Sequence, residues 1–185
     1  MAICPQPHPF VKALNVSIRM SPDQLALWQK IEAFELDDPH ADLTFTDRLA
    51  RENGWPLAFS LRAVAEYKRF MLLLCLAEHP LTPSDQIDQV WHLHLLYTRS
   101  YWDDFCRHTL NRTIHHGPTR GGAQQQAQFT NWYDRTRQLY RQTFGQAPPP
   151  DLWPNSTARF GDVRFQRVNL GRYWLLPKFR RFWNR

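Results

Sequence analysis

Residues 82–106 read T-P-S-D-Q-I-D-Q-V-W-H-L-H-L-L-Y-T-R-S-Y-W-D-D-F-C, and I-H-H-G-P follows at 114–118. The opening Thr82-Pro83 is a helix start: Thr82 as N-cap, Pro83 at the first helical position, and Asp85 where a carboxylate favours the first turn. Apolar and aromatic residues then recur with a helical period, so Ile87, Trp91, His94, Thr98, Tyr101 and Phe105 share one face of a helix expected to run to about His108. Asp88, His92, Leu95 and Arg99 form the neighbouring stripe.

Working outward, three more long helices are expected. Ser21-Pro22-Asp23 opens one near 22–36, with Leu25, Trp28, Ile31 and Phe34 on its inner face. A second, 57–78, follows Trp55-Pro56 and stops at His79-Pro80. Another, 122–144, carries Phe129, Trp132, Tyr133, Thr136, Leu139, Tyr140 and Phe144, and ends at Gly145 before Pro148-Pro149-Pro150. A short helix fits Leu43 to Glu52, closed by Gly54. The fold class is therefore mostly α, a four- to five-helix bundle with an irregular C-terminal arm. Its parts are a lead-in over 1–20, a helical domain over 21–155 and a basic aromatic arm over 156–185. Val163, Phe165 and Val168 suggest a short strand in that arm, and Leu175, Leu176, Phe179, Phe182 and Trp183 fall on one side of a terminal basic segment.

Composition supports a packed interior: 43% of residues are apolar and 14% aromatic, which argues against disorder. Cys4, Cys75 and Cys106 are too few and too scattered for a disulfide framework, and Cys75 reads as a small core residue. The first residues show no n-region, apolar h-region and cleavage site, so secretion is not expected, and the longest apolar run, Phe70 to Ala77, falls short of the ~20 residues a membrane span requires. A reducing cytoplasmic setting is the expectation.

The net charge of +6 is unevenly divided. Residues 1–104 hold 9 basic and 14 acidic side chains, whereas 105–185 hold 14 basic against Asp134, Asp151 and Asp162. A basic half with Trp132, Tyr133, Arg135, Arg137 and Arg141 interleaved suits contact with RNA or an acidic protein. The terminal aromatic-basic segment suggests peripheral membrane contact. The plainer alternative is an arginine-rich surface closing against the acidic half of the same domain.

Five of the eight histidines lie between 92 and 116: His92, His94, His108, His115 and His116. His92 and His94 point about 160° apart on a helix and do not chelate one ion. Asp88 and His92, at i and i+4, share a face, and the loop histidines His115 and His116 could fold back on them. Together Asp88, His92, His115 and His116 are candidate ligands for a divalent metal, whether zinc, iron or manganese. Taken singly, each has a plainer role as a surface pair or a polar turn. His94 is a core hydrogen-bonding group or a wall of the site, and Glu66 is a further carboxylate within reach of either role. No Gly-rich phosphate loop, nucleophile elbow or Walker lysine occurs. A Cys106–His108 pair points apart on a helix. No reaction is specified.

E-Y-K-R-F (66–70), the W-H-x-H-L-L helix of 88–106, H-H-G-P (115–118), a Tyr-x-x-x-Phe-Gly helix end (140–145) and Leu-Trp-Pro (152–154) together resemble the glycine-rich domain-containing protein-like family. The resemblance covers about residues 20–155, and D-x-x-W-H-x-H-L-L is its most specific portion. It implies an α-helical domain and draws attention to His92, His94, His115 and His116. Plant members of that family carry a glycine-rich extension discussed in connection with stress responses and RNA binding. This chain holds seven glycines, and the resemblance implies no known reaction.

Overall fold

The computed structural model describes residues 20–117, 121–161, 168, 171, 172, 174 and 176. Their helices are α1 (Pro22–Glu32), α2 (Phe45–Asn53), α3 (Leu57–Leu76), α4 (Asp85–Leu96), a π-helical segment (Ser100–Thr109), α5 (Ala123–Phe144) and the single turn α6 (Ser156–Arg159). The chain is a mostly helical bundle, and no strand occurs among the described residues. The expected lead-in, the strand near Val163 and most of the terminal aromatic-basic segment lie outside the described residues.

Local chemistry fixes most helix ends. At α1, Ser21 and Gln24 form a reciprocal capping box and Pro22 takes the first turn. Thr44 caps α2, whose end at Gly54 is left-handed (φ 65°). Gly145 closes α5 in the same way (φ 68°). α1 is shorter than expected, ending at Glu32 rather than near 36.

α3 is the central element, packed on α1, α2, α4 and α5. Tyr67, Phe70, Met71, Leu72 and Leu73 are fully buried within it. Glu66 is buried beside them, and its carboxylate is committed to the fold. Oε2 accepts from Trp153 Nε1 (2.9 Å), and Oε1 accepts from the Tyr140 hydroxyl (3.1 Å) and pairs with Arg69. One carboxylate thus ties α3 to α5 and to the Leu152-Trp153-Pro154 turn. A buried charge held by three donors is stable where a bare one is not. Of the two roles expected for Glu66, the structure assigns the core.

The fourth helix departs from expectation twice. Its cap is Ser84, whose Oγ accepts from Ile87 N (3.3 Å), while Thr82 N donates instead to Thr136 Oγ1 on α5 (3.1 Å). T-P-S offers two hydroxyl caps; Thr82 meets α5 through its backbone N–H, and Ser84 supplies the cap. The helix then breaks at Tyr97 (φ −85°, ψ 64°) rather than running to His108, and the chain resumes as a π-helix. Leu110 N bonds to Phe105 O, five residues back. This wider turn brings residues four and five apart onto one side, so Tyr101, Phe105, Cys106 and Leu110 are all buried. Thr98, placed on the core face by a straight helix, is exposed.

His94 fastens that break. Its Nδ1 lies 2.9 Å from the Tyr67 hydroxyl and its Nε2 3.2 Å from Ser100 Oγ, so one ring joins α4, α3 and the π-helix. Burial raises the Tyr67 hydroxyl well above its ordinary value and lowers His94 to about 3. Both are neutral at pH 7, so one ring nitrogen of His94 donates and the other accepts. His94 is a core hydrogen-bonding group, one of the two roles expected for it.

Candidate metal centre

The site begins in the first two turns of α4. Asp88 stands within the first turn, where the helix N-terminus favours a carboxylate. His92 follows one turn later on the same face, with Nε2 3.8 Å from Asp88 Oδ2. The third group arrives from the loop after the π-helix. Asn111 reverses the chain there with φ 50°, a conformation asparagine tolerates better than most residues. His116 then reaches back, and its Nε2 lies 2.8 Å from Asp88 Oδ1.

What holds that loop is a relay from the core. Trp91 Nε1–H donates to the Tyr101 hydroxyl (2.9 Å), whose own proton goes to the Ile114 carbonyl (2.6 Å). The Trp91 ring meets His116 edge-to-face at 4.4 Å between centroids. The backbone is pinned two residues before His116, and its imidazole is braced against an indole. Sequence reasoning placed Trp91 and Tyr101 on the core face and gave neither a part in the site. The signal available was the adjacency of Trp91 and His92, which on a helix puts an inward residue beside an outward one.

One donor atom each from Asp88, His92 and His116 lies within 4.8 Å of the other two. Metal–ligand bonds of ~2.0–2.2 Å set donors roughly 3–4 Å apart, so a shift of under about 1 Å closes the triad on an ion. Asp88 and His116 are partly buried and His92 is half-exposed, which leaves the outer side of the triad facing solvent and the adjoining cleft. That cleft has a volume of about 1190 Å³ and lies between α4, the His115–Gly117 loop, α5 and α6.

The other candidates fall elsewhere. His115 lines the cleft but stands outside the triad, exposed, with its ring 5.5 Å from Trp102. His94 and Glu66 are occupied within the core. Burial pushes the Cys75 thiol up to about 11 and raises Cys106 as well, so both remain protonated. The interleaved basic-aromatic set on α5 is divided. Arg135 and Arg141 are exposed and Trp132 and Arg137 half-buried, but Tyr133 is fully buried, donating its hydroxyl to the Pro154 carbonyl (2.7 Å). Tyr133 is a core residue and presents no stacking face to a partner. No helix among the described residues is long and apolar enough to cross a membrane.

Residues 59–138 match a family model described as UCP032817-like. The matched stretch contains Asp88, His92 and His116 together with Trp91 and Tyr101, and the chain is similar there to an uncharacterised family. No curated protein and no solved structure matches the chain.

Proposed function

We propose that the chain binds a divalent transition metal through Asp88, His92 and His116 and presents it, incompletely coordinated, to a ligand in the adjoining cleft. The observation that carries this reading is the convergence of three donors from two separate elements, within 4.8 Å, at the rim of a cleft. Two imidazoles and one carboxylate suit zinc, iron or manganese, and three protein ligands leave positions for water or substrate. Such an ion polarises a bound oxygen or activates water. His116 Nε2 and Asp88 Oδ1 lie in hydrogen-bond contact with each other. Metal takes the place of that contact, and because an imidazole must be unprotonated at the nitrogen that binds, uptake weakens in acid.

Elemental analysis of protein purified without an affinity tag, followed by calorimetric titration with Zn²⁺, tests the reading. About one ion per chain is expected, lost in His92→Ala and His116→Ala with helix content by circular dichroism preserved. His115→Ala keeps the ion. A wild-type chain that takes up no zinc, iron or manganese overturns the proposal.

A further inference from the structure

The cleft beside the triad has a composition that selects its ligand. Four large aromatic side chains stand in its walls: Trp91 at the metal end, Phe129 and Trp132 on α5 in edge-to-face contact (5.3 Å), and Phe160 beyond α6. The volume of about 1190 Å³ exceeds the roughly 300–1,000 Å³ typical of small-molecule sites, so a multi-ring ligand fits without unfolding anything.

Charge narrows the class further. Among the described residues lining the cleft, Arg159 is the one Lys or Arg, and it is already committed. Its Nη1 pairs with Asp85 Oδ1 at 2.5 Å and its Nε donates to the Pro83 carbonyl at 3.3 Å. Among the described residues the cleft therefore offers no second cation to a polyanion, and Asp88 opposes one. A divalent ion held by one carboxylate and two neutral imidazoles retains a single positive charge, which one anionic oxygen donor neutralises.

We infer that the cleft takes an aromatic, singly anionic oxygen ligand: a carboxylate, phenolate or hydroxamate bound to the metal by its oxygen, with its ring system against Phe129 and Trp132. This rests on the metal-binding reading above and adds the class of molecule that site would receive. The aryl portion gains from burial and from edge or face contact with the α5 aromatics, and the anion gains only when the metal is present.

Calorimetric titration of the Zn²⁺-loaded chain with 2-naphthohydroxamate, acetohydroxamate and ATP tests it. All three present oxygen donors, but only the first carries both a single charge and a two-ring aryl group. The naphthyl compound should bind at least about tenfold more tightly than acetohydroxamate, as burial of its ring system requires. That advantage should collapse in Trp132→Ala and shrink in Phe129→Leu, a milder change that keeps the assay readable if the alanine variant fails to fold. Zinc affinity should stay unchanged in both. Equal affinity for the two hydroxamates, or tighter binding of ATP, overturns the ligand class while leaving the metal site standing. Equal binding of the naphthyl compound with and without zinc overturns its anchoring by the metal. Failure to load zinc at all removes both readings together.

Discussion

His94 stands two residues from His92 and does the opposite work. His92 is half-exposed and aimed at Asp88, whereas His94 is fully buried between Tyr67 and Ser100. Burial lowers its imidazole from 6.5 to about 3, so the folded chain keeps it neutral where the unfolded chain takes up a proton. Its contribution to stability is fully present above about pH 6.5 and is lost as the pH falls from there towards 3. The limiting slope is ~1.4 kcal/mol per pH unit for one proton. His94→Gln removes that titration. Urea unfolding of the variant between pH 6.5 and 4 should show lower stability at neutral pH but a shallower decline with acid. Parallel declines in the two proteins would mean that His94 protonates within the fold. The two directions of His92 and His94 were legible from 100° per residue; the partners that make His94 a fastening of the helix break were not, because Tyr67 and Ser100 meet it only through packing.

At the scale of elements, the triad depends on how one loop is delivered to one helix. Tyr101 holds the loop by accepting from Trp91 and donating to the Ile114 carbonyl, and Trp91 braces His116. Tyr101→Phe removes a single hydroxyl and leaves both groups without that partner, which costs about 1–3 kcal/mol for buried polar groups. The same change loosens His116 relative to Asp88 and should weaken Zn²⁺ binding by about 10–100-fold, as losing a ligand's supporting contacts does. Calorimetry well below the variant's melting temperature separates the two effects; an unchanged zinc affinity would show that the loop is set by something other than Tyr101. Helix starts and stops that rest on one residue's chemistry, such as Ser21 with Gln24, Gly54 and Gly145, could be read in advance. The stop at Tyr97 could not, since neither glycine nor proline marks it and the π-helix arises from burial of Tyr101, Phe105, Cys106 and Leu110. For the same reason the i, i+4 pair Asp88–His92 was evident in the sequence, while the choice of His116 over His115 was made by the turn at Asn111 and the Tyr101 relay.

For the whole molecule, the triad would act as a clasp across the fold. Asp88 and His92 belong to α4, which packs on α3, and His116 closes the chain segment that leaves α4 through the π-helix. An ion held by all three binds only when that segment is in its native place, so metal binding adds directly to folding free energy. At a free Zn²⁺ concentration one hundred times the dissociation constant the gain is ~2.7 kcal/mol. For a chain of this size each kcal/mol raises the melting temperature by roughly 2–4 °C, so thermal unfolding should shift upward by about 5–11 °C. The shift should reverse with chelator, grow with the logarithm of free zinc, and vanish in His116→Ala. Loss of His116 leaves Asp88 and His92 as an i, i+4 pair on one helix, which an ion can bridge without reference to the loop. A stabilisation that survives in that variant would place the metal on α4 alone and remove the loop from the site.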